Sequence, residues 1–123
     1  MNIYESAEDY LERILMLNNE GKNIKSIDLA RSFNYSRASI SRAINNLADE
    51  GFIDIINGYL ILTEKGKAIA SKMLDRHMKL SEFFVSIGVE KKQALEDACK
   101  IEHDLSDETF EKLIRHIEKT KCV

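Results

Sequence analysis

An Asn57-Gly58 dipeptide stands between two β-rich runs, Phe52-Ile53-Asp54-Ile55-Ile56 and Tyr59-Leu60-Ile61-Leu62. Both positions tolerate positive φ, which makes this pair the strongest short hairpin signal a sequence can carry. The segments on either side carry helical apolar spacing instead, and with no proline and five glycines in 123 residues the chain is sparsely punctuated. A single hairpin among helices points to a mainly α fold with a small β element.

Apolar spacing and capping residues place the helices. Residues 4–18 read as an amphipathic helix with Tyr10, Ile14, Leu15 and Leu17 on its apolar face, and a turn over residues 19–23 ends it. Ser26 is expected to cap a short helix over 27–33, and Asn34-Tyr35 forms a tight turn. Ser36 caps the next helix, which runs to about Glu50 and stops at Gly51. Its apolar face is Ile40, Ala43, Ile44 and Leu47. Ser36, Arg37, Ser39, Ser41, Arg42 and Asn45 lie largely on the other side. After the hairpin, Thr63 opens a long helix to about Ile87, broken at Gly88. Two more helices are expected, about 90–103 and 106–119, the second capped by Ser106.

Helix, helix, tight turn, helix and hairpin, in that order, describe a winged helix-turn-helix. The 36–50 helix would enter a major groove and the hairpin would lie along the backbone or minor groove. The net charge of −3 argues weakly against a nucleic-acid partner, yet it averages over faces. Within residues 22–48, Lys22, Lys25, Arg31, Arg37 and Arg42 face only Asp28. That basic segment, with the short hydrogen-bonding side chains Ser36, Ser39, Ser41 and Asn45, suits phosphate and base-edge contacts with double-stranded DNA. The expected division is a DNA-binding domain over 1–70 and a helical domain over 71–123.

A hydrophobic fraction of 44% and a charged fraction of 32% are those of a folded, water-soluble protein. The apolar runs are far shorter than the roughly 20 residues that span a bilayer, and no charged leader precedes an apolar stretch. Two cysteines, Cys99 and Cys122, then read as cytosolic thiols. The expected location is the cytoplasm, with no membrane partner.

In Ala98-Cys99-Lys100-Ile101-Glu102-His103, the residues Cys99, Glu102 and His103 fall at i, i+3 and i+4, one face of a helix. A thiolate, a carboxylate and an imidazole together make a donor set for a borderline divalent ion. His77 and the pair Asp9 and Glu12, spaced i, i+3, lie on other expected helices. Six donors from three segments suggest an ion that pins separate parts of the fold together. His116 has no companion and reads as a surface residue; Cys122 reads as an exposed thiol without a role.

The chain resembles the DtxR/MntR family of iron- or manganese-responsive repressors throughout its length. The residues that carry the resemblance are Ala7-Glu8-Asp9-Tyr10-Leu11-Glu12, Leu62-Thr63-Glu64-Lys65-Gly66, Arg76-His77, Ile87-Gly88-Val89 and Cys99 to Ser106. The resemblance implies a homodimer, with an N-terminal DNA-binding domain and a helical domain that holds the metal and dimerises. Ending at Val123, the chain is expected to match the short, two-domain manganese branch. Asp9, Glu12, His77, Glu102 and His103 match that branch's ligand positions, whereas Cys99 stands where the iron-responsive branch has cysteine. Ser81 and Leu95 replace the glutamate and histidine of an iron-type ancillary site. One or two ions per subunit are implied, with Glu12, Cys99 and Glu102 as the bridge for a second. Mostly oxygen and nitrogen donors favour Mn²⁺, with Fe²⁺ next.

The implied function is a metal-activated repressor of metal-uptake and homeostasis genes. Metal would relieve carboxylate repulsion and narrow the dimer to recognition-helix spacings that fit successive major grooves, about 34 Å apart. Phe83, Phe84, Ile87, Val89, Leu105, Phe110, Leu113, Ile114 and Ile117 are candidates for the dimer interface or the domain core. A winged-helix regulator that senses oxidation through Cys99 is the alternative. Without a phosphate loop, a nucleophile elbow or a small-molecule substrate site, an enzyme is not expected.

Overall fold

The computed structural model describes residues 3–121. The chain divides into two compact units, one ending at Lys72 and the other beginning at Met73. In the first, α1 (Ile3–Asn19), α2 (Ser26–Phe33) and α3 (Arg37–Asp49) precede β1 (Ile53–Ile56) and β2 (Tyr59–Leu62). α4 (Glu64–Ser86) crosses the division, and α5 (Lys91–Ile101) and α6 (Asp107–Lys121) complete the second unit.

Two local devices shape the helix-turn-helix. Asn34 adopts a left-handed conformation (φ 58°, ψ 40°) past the end of α2. The Tyr35 N–H then donates back to the Ala30 carbonyl at 3.0 Å, a helix stop of the kind asparagine tolerates. Ser36 caps α3, its hydroxyl accepting from the Ser39 N–H at 3.2 Å. At the start of α2 the structure corrects the expectation: Lys25, not Ser26, is the cap residue. Asp28 accepts from the Lys25 N–H at 2.9 Å, which starts the helix one residue early, and lysine has no acceptor with which to return a bond.

The hairpin pairs Ile53 with Leu62 through Ile56 with Tyr59. Asn57 (φ 54°) and Gly58 (φ 84°) form its two-residue turn. Ile53 and Leu60 anchor it in the core with Leu11, Ile14, Leu29, Ile40, Ile44 and Leu47. The Leu60 N–H also donates to the Ile24 carbonyl at 2.9 Å, tying the wing to the segment before α2. Thr63 clamps the next junction, donating to the Gly51 carbonyl at 2.7 Å and accepting from the Gly66 N–H at 3.2 Å. Gly66 is required there, since a Cβ would stand 2.0 Å from the Phe52 carbonyl oxygen.

In the second unit, Leu80, Ala98 and Phe110 form the core, with Phe84, Ile101, Leu105, Leu113 and Ile114 packed against it. Met78, Val85, Ile87 and Leu95 are exposed. α4 stops at Gly88 (φ 104°), and Ser106 caps α6 by accepting from the Thr109 N–H at 3.1 Å. α5 ends at Ile101, so Glu102 is its C-cap residue and His103 lies in the turn beyond.

Candidate metal centre and nucleic-acid interface

Within the second unit, donors converge on Glu102, which is fully buried. Its Oε2 lies 3.1 Å from His77 Nδ1 and its Oε1 lies 3.3 Å from His103 Nε2. α4 supplies His77, and the turn after α5 supplies the other two. A carboxylate with an imidazole nitrogen at each of its two oxygens is an oxygen-and-nitrogen donor set that fits a divalent first-row ion better than a structural zinc site rich in thiolates. Cys99 differs in burial: it is exposed on α5, whereas Glu102 is the buried C-cap residue of the same helix. His116 is exposed, as expected, and Cys122 lies outside the described residues.

In the first unit, Asp9 and Glu12 project from adjacent turns of α1, an oxygen of each within 4.8 Å of the other. Glu12 is buried and Asp9 half-buried. Two carboxylates that close can act as oxygen donors to one divalent cation.

Lys25, Ser36, Arg37, Ser39, Ser41, Arg42 and Asn45 are all exposed, while Ile40, Ile44 and Leu47 bury the opposite side of α3. The Ser36 hydroxyl is occupied with Ser39 as a helix cap, so its contribution is to present the α3 N-terminus, a favourable end for phosphate. Lys25 Nζ lies 4.9 Å from the Tyr59 ring centroid, between α2 and the wing.

Several contributors escape a reading of the sequence. Tyr10 meets Phe33 edge-on at 5.2 Å, Phe33 stacks on exposed Tyr35 at 5.5 Å, and the Arg13 guanidinium covers Phe33 at 4.7 Å. This chain of rings joins α1 to the turn before α3. Burial, then Tyr35 and the Asp9 carboxylate, push the Tyr10 hydroxyl above its ordinary pKa, so it stays neutral. Arg76 is a further buried group, next to His77 in the chain. Aromatic residues at those spacings are visible in the sequence, but nothing in it reports which rings meet across a turn.

Residues 2–60 match the N-terminal DNA-binding domain of iron-dependent repressors, and residues 63–122 match their metal-binding and dimerisation domain. An HTH-type transcriptional regulator of Methanocaldococcus jannaschii is 39% identical over 121 residues, covering 95% of this chain and 96% of that one. The chain belongs to the iron-dependent repressor family. As a member of that family it is a metal-dependent transcriptional regulator and not an enzyme.

Two solved structures at 28% identity share the fold of this family member. One is a manganese-dependent transcriptional repressor in complex with manganese, with a TM-score of 0.78 over 86% of this chain and 50% of that one. The other is the IdeR of T. acidophilum, with a TM-score of 0.75 over 90% and 53%. The manganese regulator SloR, 24% identical, shows the same fold with a TM-score of 0.81 over 91% and 53%. The chain thus spans about half the length of these three solved chains.

Proposed function

We propose that the chain represses metal-ion uptake and homeostasis genes, its operator affinity raised by Mn²⁺ in preference to Fe²⁺. The observation that carries this reading is the buried Glu102 between His77 and His103, in a domain matching the metal-binding domain of the family. Asp9, Glu12, His77, Cys99, Glu102 and His103 are the proposed ligands, for one or two ions per subunit. Lys25, Ser36, Arg37, Ser39, Ser41, Arg42 and Asn45 are the proposed DNA-contacting set.

A bound divalent ion supplies positive charge that neutralises carboxylates otherwise in mutual repulsion. Because the ligands come from both the DNA-binding and the metal-binding segments of the sequence, ligand binding and operator binding are linked. α3 presents its polar side, Ser36 holds the helix N-terminus, and Lys25 flanks the wing. The working form is a homodimer, and of the interface candidates Ile87 is exposed, as are the neighbouring apolar residues Met78, Val85 and Leu95. No described helix is long and apolar enough to cross a membrane, which accords with the proposed cytoplasmic location.

Anaerobic titrations of Mn²⁺ and Fe²⁺ into the purified protein test the reading, with affinity for duplex from the region upstream of its own gene as the second readout. Tighter DNA binding with the metal, stronger for Mn²⁺, is expected. Metal binding that leaves DNA affinity unmoved contradicts it.

A further inference from the structure

Arg76, on α4 in the second unit, is 4% exposed. Burying a guanidinium costs several kcal/mol unless its donors find partners, and here both terminal nitrogens do. Nη1 donates to the carbonyls of Glu102 at 2.9 Å and Leu105 at 2.7 Å. Nη2 pairs with the Asp107 carboxylate, and the guanidinium lies 4.9 Å from the Phe110 ring centroid.

The bonded groups mark out one short segment. The Glu102 and Leu105 carbonyls follow the end of α5, where helix carbonyls lack intrahelical partners and the dipole attracts a cation. Asp107 is the first residue of α6. A single planar fork therefore holds the turn between α5 and α6 along its length. Glu102 and His103 issue from that turn, and His77 adjoins Arg76 on α4.

We propose that Arg76 is a positioning residue for the metal centre: it fixes the 102–107 turn to α4, so that Glu102 and His103 are held in place beside His77. This rests on the metal-site reading above. The role needs the geometry of the fork and not the charge alone, because a lysine ammonium is a point donor that cannot span both carbonyls and a carboxylate in one plane.

The test compares wild type with Arg76→Met, Arg76→Lys and, as a control for charge loss on the same helix, Lys79→Met, whose ammonium makes an exposed pair with Asp75. Mn²⁺ affinity is measured by calorimetry below each variant's melting temperature. Amide exchange is measured in metal-free protein at Glu102 and Asp104, whose N–H groups donate to Ala98 and Ile101 at 3.0 Å. Arg76→Met is expected to weaken Mn²⁺ binding by about tenfold or more, the range seen when groups that orient ligands are removed, and to speed exchange at both amides. Arg76→Lys should regain part of the thermal stability but not the affinity, and Lys79→Met should match wild type. Wild-type affinity and protection in Arg76→Lys, and in Arg76→Met if it folds, overturn the inference. A wild type that binds neither Mn²⁺ nor Fe²⁺ overturns the metal-site reading, and this inference with it.

Discussion

His77 and Glu102 lie 25 positions apart in the chain, yet Nδ1 of the imidazole is 3.1 Å from Oε2 of the buried carboxylate. Replacing Glu102 with glutamine keeps the side chain's shape and removes its charge. Mn²⁺ affinity of Glu102→Gln should fall by more than the roughly 10- to 100-fold typical of groups outside the ligand sphere. Its circular dichroism should match wild type. Calorimetric titration gives the answer, and an unchanged affinity would remove Glu102 from the site.

As a proposed ligand, Cys99 should separate metals by softness. A thiolate ligand adds more to Zn²⁺ and Cd²⁺ binding than to Mn²⁺ binding. Cys99→Ser should therefore weaken Zn²⁺ and Cd²⁺ binding markedly and Mn²⁺ binding little, as read by competition against a chromophoric chelator. Equal affinities for all three ions before and after substitution would leave the exposed thiol without a ligand role.

Arg37 and Arg42 are exposed on α3, so alanine at either should change folding stability by no more than about 0.5 kcal/mol. DNA affinity should drop by about 1–3 kcal/mol where the arginine reads a base. Where it meets a phosphate, the loss should be sequence-independent and the salt slope smaller by about one. Fluorescence anisotropy across a salt series, with cognate and scrambled duplexes, distinguishes these cases.

Gly66 and Gly58 predict different costs from different causes. Alanine at 66 drives a Cβ to 2.0 Å from the Phe52 carbonyl oxygen, and backbone on both sides leaves little room to relax. A loss of about 2 kcal/mol or more is expected in urea unfolding. A Cβ at Gly58 would meet Lys25 Cε at 3.8 Å, an ordinary contact. The cost there is the left-handed backbone alone (φ 84°), about 1–2 kcal/mol in the same unfolding measurement.

Much of this architecture is legible in the sequence because its signals are local. Asn57-Gly58, the Ser36, Thr63 and Ser106 caps and the stop at Gly88 each act through neighbours within a few residues, and each stands where the spacing places it. The start of α2 departs from its local signal because the Asp28 carboxylate reaches back past Ser26 to Lys25. The spacing of Cys99, Glu102 and His103 describes one helical face, but spacing does not report where a helix ends. Arg76 takes the Glu102 and Leu105 carbonyls, and α5 ends at Ile101. Residues whose roles depend on long-range partners, such as Arg76 and Gly66, leave no periodic trace. His77, Glu102 and His103 are legible as candidate donors in the sequence, but spacing alone cannot bring α4 to the turn after α5.

Metal and operator binding are proposed to be coupled, and coupling between two ligands is reciprocal. The most direct measurement is Mn²⁺ affinity with and without saturating operator duplex, beside operator affinity with and without saturating Mn²⁺. Both affinities should tighten by the same factor, about tenfold or more, corresponding to about 1.4 kcal/mol or more of coupling. Two affinities that are each indifferent to the other ligand contradict the account.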